Sequence, residues 1–428
     1  MPTGGTAAAR TAAYHAGMSA DSAVAFTDAV IVSGTGDEPF VGSVVVEDGR
    51  IADVVEGGAR PPAGTVVGCG GRTLLPGLID AHVHIGAVDV NITDQQRHYF
   101  DSELALRMGR ALTDLLDQGF TTVRDAGGAD AGFRRAVAAG VVAGPRLLVS
   151  GRPLSQTGGH GDRRLPTEDA TARASRVGLR SRVVDGVDEV RRAVREELRR
   201  GADQIKVMAS GGVMSPADRL EDDQFSDEEL AAAVATARAA GSYVLAHAYT
   251  PAAIQRCVRA GVRSIEHGNL LDEPTAALMA EHGVYLVSTL VTYEKLYEEG
   301  ERHGLSRENL DKLARVIDAG LDGLRIARAA GVKIASGSDL LGPLSRHRGR
   351  ELAIKAQVLG AMGAIVAATR TNAELLRIQD ETGTVEPGKR ADLIVVDGDP
   401  LADPGLLGRP ETLWAVVAGG RLHKPPPV

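Results

Sequence analysis

The chain has 428 residues, 43% of them hydrophobic and 24% charged, the balance of a folded sequence long enough for a large barrel with an appendage or for two domains. Its formal net charge is −8 and no long basic run occurs; the Arg-rich stretch 191–200 alternates with Glu and Val as a solvated helix face does, which argues against a nucleic-acid partner. No run of about 18 apolar residues exists, so no membrane-spanning helix is expected, and two cysteines, Cys69 and Cys257, cannot build a disulfide framework.

Residues 1–23 are rich in Ala, Gly and Thr and lack the apolar core of a signal peptide. They are expected to form a disordered tail, with a cytoplasmic location by default. Next come AFTDAVIVSG, GSVVVEDGRIADVV and GTVVGCGGRTLLP, where apolar and polar residues alternate between Gly and Asp-Gly turns, the pattern of β hairpins.

From Gly77 the pattern changes to strand–helix alternation. LIDAHVHI, FTTVRDAG, RLLVSG, ADQIKVMAS, SYVLAHA, RSIEHG, VYLVSTL and VKIASGSD read as strands. Helical periodicity lies between them, for example in SELALRMGRALTDLLDQ, DEVRRAVREELRR and ENLDKLARVIDAGLDGLRIARAA. Such alternation predicts a parallel sheet, and about eight repeats predict an α/β fold of the (β/α)8, TIM-like barrel type. No Gly-rich dinucleotide fingerprint follows the first strand, which disfavours an open doubly wound sheet. GTVEPGKRADLIVVDGDP and TLWAVVAGGRLHK then return to the β style. The expected organisation is a barrel over residues 76–382 and a small β-sandwich domain built from both chain ends, residues 24–75 with 383–425.

Active sites of such barrels sit at the carboxyl ends of the strands. Asp80, His82 and His84 share one face of the first strand because side chains alternate. Lys206 lies within the fourth strand, where a lysine is costly unless paired, neutral or modified. It has three possible uses: a Schiff-base nucleophile, a structural ion pair or a carbamylated metal bridge. His247 and His267 end the fifth and sixth strands, and Asp339 is placed at the end of the eighth. Any one of these is weak evidence. Four histidines, one lysine and one aspartate at the same end of one barrel form a metal-site pattern, since imidazole and carboxylate bind Zn, Mn or Fe ions. His15, His98, His282, His303, His347 and His423 fall in tails, helices or loops and carry no such pattern.

PGLIDAHVHIG, QIKVMASGGV, LAHA, SIEHG, GSD and EPGKRADLIVVDGDPL together resemble the amidohydrolase superfamily, over about residues 24–423. SQTGGHGD, ASGGVMSP and GSDLLGP point within it to the prolidase-like and N-acyl-amino-acid carboxypeptidase-like branch that includes ochratoxinase. The resemblance implies two divalent metal ions, zinc by preference. His82 and His84 would bind one together with Asp339, His247 and His267 would bind the other, and carbamylated Lys206 would bridge them. It further implies that a hydroxide held between the ions attacks an amide carbonyl while Asp339 moves the proton to the leaving nitrogen. His160 and Tyr249 would hold the free carboxylate of a small-molecule substrate, with Tyr293 a further candidate at the site.

Asp80 is the expected orienting partner of the histidines. Specificity is expected from loops. Segment 150–185 carries Arg163, Arg164, Arg173, Arg176, Arg180 and Arg182, either as a lid drawing in carboxylates or as a plain basic surface. LLGPLSRHRGRE after Asp339 adds Arg346, Arg348 and Arg350 as candidates to meet an acidic group. A homo-oligomer is expected from the resemblance. The alternative activity is that of a mononuclear imidazolonepropionase-like cyclic amidohydrolase or deaminase, enzymes that use no bridging lysine; a non-enzymatic relative is disfavoured because all six ligand positions are filled.

Overall fold

The computed structural model describes residues 23–57, 64–92, 94–165, 167–169, 176–215 and 218–426. Residues 1–22 of the expected tail and Arg173 of the expected lid lie outside them.

Both chain ends build one eight-stranded sheet. Its strands are β1 (Val24–Ile31), β2 (Phe40–Glu47), β3 (Arg50–Glu56), β4 (Thr65–Gly68) and β5 (Thr73–Pro76) from the start of the chain. The hairpin β2–β3 closes on Asp48 and Gly49, with φ of 49° and 75°. Two successive positive φ values give the turn whose twist matches that of the flanking strands, which is why Asp-Gly marks it. The returning end contributes β16 (Leu393–Val396), β17 (Leu413–Ala418) and β18 (Arg421–Lys424). The two ends meet where β16 runs antiparallel to β5, Leu393 opposite Pro76 and Val396 opposite Thr73. Phe26, Ile31, Val44, Leu74, Leu393 and Val417 are among the residues that fill the core on this sheet.

The barrel strands come between. β6 (Leu78–Val83), β7 (Phe120–Asp125) and β8 (Arg146–Val149) form one parallel ladder. A second ladder holds β11 (Ile205–Met208), β12 (Val244–Ala248), β13 (Ser264–His267), β14 (Tyr285–Ser288) and β15 (Ile334–Ser336), with the two-residue strands β9 (Leu154–Ser155) and β10 (Arg182–Val183) at its edge. Two seams close the ring. At one, the Asp203 N–H donates to the Val149 carbonyl (2.8 Å) while the Asp203 carboxylate accepts from the Val149 N–H (2.8 Å). At the other, the Asp339 N–H donates to the His82 carbonyl (2.9 Å).

Helices cover the strands because their apolar positions recur every three to four residues. Helix Asp101–Asp117 buries Leu104, Met108, Leu112, Leu115 and Leu116. Side-chain caps mark the starts of some of them: Ser226 forms a reciprocal capping box with Glu229, and Thr250 accepts from the Ala253 N–H ahead of a first-turn proline. Cys69 and Cys257 are buried free thiols. Among the described residues no single helix is long and apolar enough to cross a membrane.

Candidate metal and substrate site

The predicted residues converge on one cleft of about 570 Å³ at the carboxyl ends of the barrel strands. His84, His160, Lys206, His247, Tyr249, His267, Tyr293 and Asp339 all line it. His82 lies buried beneath, 3.4 Å from the Lys206 Nζ and, through Nε2, 3.6 Å from Asp339 Oδ1. His84 Nε2 is 3.3 Å from the same oxygen. One donor atom each from His82, His84 and Asp339 falls within 4.8 Å of the others, close enough to share a cation.

Each imidazole has one nitrogen committed and one left over. His82 Nδ1 donates to Glu266 Oε2 (2.6 Å) and His84 Nδ1 to the Gly127 carbonyl (2.8 Å), which leaves Nε2 of both as lone-pair donors toward Asp339. His267 Nδ1 donates to Thr289 Oγ1 (2.8 Å), freeing its Nε2. His247 Nε2 faces the Gly211 carbonyl at 3.2 Å, which frees Nδ1 instead. The tautomers of His82, His84 and His247 follow from the partners, since a carbonyl or carboxylate accepts only from an N–H, and that of His267 from the Thr289 hydroxyl, which donates to Tyr293 (3.5 Å) and so accepts from the ring. Burial holds His82, His247 and His267 well below the ordinary histidine range, and His84 at about 3, so the rings are neutral and their lone pairs available. The set fits divalent cations.

Lys206 is fully buried, and among the described residues it has no carboxylate within ion-pair distance. Lys355, equally buried, pairs with Glu351 and so shows what a structural buried lysine looks like here. Burial pulls the Lys206 amine below its usual range, although the Glu266 and Asp339 charges oppose this. Burial likewise raises the Asp339 carboxyl, with Lys206 pulling it back.

The aromatic wall is ordered around the same imidazoles. His160 stacks on His247, ring centroids 4.4 Å apart, and Tyr249 stacks on His267 at 5.3 Å. The Tyr249 and Tyr293 hydroxyls are hydrogen-bonded at 2.8 Å, and burial pushes both up, so they remain protonated donors. Gly212 permits the His160 position, because a Cβ there would lie 2.3 Å from the ring.

Three expectations need correction. Asp339 does not end strand β15, which stops at Ser336. It sits in the following turn at φ 52°, because Asp80 captures the Ser338 N–H (3.0 Å) and hydroxyl (2.5 Å) and bends the chain inward. Asp80 also accepts from the His82 N–H (3.0 Å) and Arg348 (2.8 Å), so it braces the surrounding structure and, among the described residues, hydrogen-bonds to no imidazole. The orienting carboxylate is Glu266, one residue before His267 and not singled out from the sequence. It takes His82 Nδ1, the Ser264 hydroxyl (2.5 Å) and Arg124, whose Nη2 donates to both Glu266 oxygens at 2.8 Å. Finally, Arg346, Arg348 and Arg350 are spent internally on Glu299, Asp80 and Glu294.

A barrel with His and Asp donors gathered at its carboxyl-terminal mouth defines a class of metal-dependent hydrolases. The model of the amidohydrolase family matches residues 73–422, and the chain belongs to that family, whose members are hydrolases acting on C–N bonds. It is 35% identical to ochratoxinase of Aspergillus niger over 372 residues, covering 82% of this chain and 76% of that protein. Among solved structures, an amidohydrolase superposes with a TM-score of 0.90 at 46% identity, covering 94% of this chain and 98% of that one. A prolidase complexed with N-methylphosphonate-L-proline gives 0.90 at 42% identity, covering 94% and 99%.

Proposed function

We propose that the protein hydrolyses the amide bond to an amino acid whose carboxylate is free, in Xaa-Pro-type dipeptides, N-acyl amino acids or ochratoxin-like amides. The observation that carries this is the convergence of His82, His84 and Asp339 donors with His247, His267 and Lys206 on one cleft. In this reading His82, His84 and Asp339 would hold one cation, His247 and His267 would hold a second, and Lys206, as a carbamate, would be a ligand to both. The depressed Lys206 amine, with no carboxylate at ion-pair distance among the described residues, favours the neutral form, which adds carbon dioxide to give N–COO⁻ and release a proton. Two zinc ions bound there would supply Lewis acidity at the carbonyl and a water acidic enough to attack near neutral pH.

The chain's own groups do the rest. Asp339 takes the proton of the attacking water and passes it to the leaving nitrogen, since an amine leaves poorly without it. Glu266 holds His82 in the tautomer that presents Nε2. His160, stacked on His247, and Tyr249, stacked on His267, orient the carboxylate by hydrogen bonds. The known relatives support the substrate class, being named for a prolidase and an ochratoxinase.

The test is a panel of Xaa-Pro, Xaa-Arg, Xaa-Phe and N-acyl amino acids offered to zinc-loaded protein, with and without chelator. Chelator-sensitive cleavage with two ions per chain is expected. No cleavage of any member would overturn the reading, and one ion per chain with full activity would overturn its two-ion, Lys206-bridged form.

A further inference from the structure

The cleft contains one cation that nothing described above uses. Arg163 and Arg164 follow the acidic Asp162 in the loop that also carries His160. Arg164 turns to Asp162, donating through Nε at 2.8 Å and Nη2 at 2.5 Å. Arg163 turns the other way and lines the cleft with His84, Lys206 and Tyr249. Its Nε and Nη1 are shielded from solvent and meet no acceptor among the described residues. Burial alone lowers the guanidinium to about 10, so it stays charged at neutral pH.

Arg163 is partly buried, and two shielded guanidinium donors without an acceptor are costly unless an anion completes them. The guanidinium fork matches a carboxylate in two parallel hydrogen bonds, a geometry no other side chain reproduces. The other described arginines of segment 150–185 do not compete. Arg164 is paired, Arg182 lies 3.9 Å from Glu197, and Arg176 and Arg180 face a separate groove with Arg152 and Glu197. The neighbouring polar groups have partners of their own: the Tyr249 hydroxyl is shared with Tyr293, and His160 Nδ1 lies 3.5 Å from the Asp218 carboxylate. The cleft lining also has an apolar part, with Ile92, Leu179, Val213, Met214 and Leu341. The ligand chemistry this describes is a carboxylate on an apolar body.

We propose that Arg163 is the specificity-determining cation of the site, pairing with the substrate's free carboxylate so that anionic amides are accepted and their uncharged counterparts refused. This rests on the amide-hydrolase reading above, and it assigns the charge recognition to a residue distinct from His160 and Tyr249.

The experiment compares zinc-loaded wild type, Arg163→Met and Arg163→Lys. Isothermal titration measures binding of 3-phenylpropionate, which has a carboxylate but no scissile bond, against 3-phenylpropionamide. The wild type is expected to bind the acid at least tenfold more tightly than the amide. Arg163→Met should weaken the acid roughly thirtyfold, the range for losing a charged hydrogen-bond partner, and leave the amide unchanged. Arg163→Lys, which keeps the charge and loses the fork, should fall between. Equal binding of acid and amide by the wild type, or an undiminished acid preference in Arg163→Met, overturns the proposal. The amide panel separates the two readings. Acid-selective binding with no amide cleaved defeats the hydrolase assignment alone, whereas cleavage that ignores the carboxylate defeats the Arg163 assignment alone.

Discussion

Replacing Glu266 by Gln tests whether the buried carboxylate both holds the fold and orients His82. Glu266 and Arg124 are each fully buried, joined by two hydrogen bonds of 2.8 Å, and the same carboxylate takes His82 Nδ1 at 2.6 Å. Glutamine leaves the guanidinium as an uncompensated buried charge, which costs about 3–5 kcal/mol. At about 2.1 cal/mol/K per residue over 428 residues, the unfolding entropy is about 0.9 kcal/mol/K, so Tm should fall by roughly 3–6 °C. The amide also has an N–H₂ that can donate to His82 Nδ1 and so select the other tautomer, and zinc affinity should fall about 10- to 100-fold. Differential scanning calorimetry reads the first effect and metal analysis after dialysis the second. The double variant Arg124→Met, Glu266→Leu separates them. Removing both charges should recover most of the stability, while His82 still lacks its acceptor and zinc binding stays weak. A Gln variant with wild-type Tm, two ions per chain and full activity would refute the reasoning.

Three further outcomes follow from the same geometry. Lys206→Met, close to the lysine stem in shape, should stay folded but lose amide hydrolysis and bound metal; full activity with two ions per chain would remove the lysine from the site. Gly212→Ala should lower kcat/KM by roughly 10- to 100-fold with little change in Tm, because its Cβ would lie 2.3–2.7 Å from three His160 ring atoms and drive the ring off His247; wild-type kinetics would show that His160 is free to move. Burial pushes Cys69 and Cys257 up to about 12, so at pH 8 neither should react with a disulfide reagent until the chain is unfolded, when two thiols should titrate. Stoichiometric labelling of the native protein would contradict their burial.

Much of the fold follows from local rules that the sequence displays openly. Asp48-Gly49 marks a hairpin because only that backbone geometry suits it, and strand alternation puts Asp80, His82 and His84 on one face. Other elements carry no such mark. Helix Arg350–Ala367 packs Leu352, Ile354, Lys355 and Val358 into the interior on more than one side, so it lacks the one-sided stripe that identifies a surface helix, and Gly360 breaks its helical dihedrals at φ 75°. The Arg124–Glu266 pair joins residues 142 apart, and nothing near either in the chain announces the other.

The site itself depends on two breaks in the alternation that made it legible. Ser264 and Glu266 share one face of β13, meeting Arg124 and His82 inside the barrel, so strict alternation would turn His267 outward. A φ of 77° at His267 rotates it back into the cleft, where it reaches Thr289 and stacks on Tyr249. Asp339 is brought in likewise by φ 52° one residue past Ser338. For side chains other than glycine such backbone costs about 1–3 kcal/mol each, and it persists only where neighbours over-determine it. They do so here: the Asp339 N–H is tied to the His82 carbonyl, Asp80 grips Ser338, and a side chain at Gly337 would collide with His82 Cβ at 2.5 Å. The strain therefore falls on two of the residues whose donors face the cleft. A sequence pattern of period two can name those residues by type, but it cannot place them, because their placement consists in departing from that period.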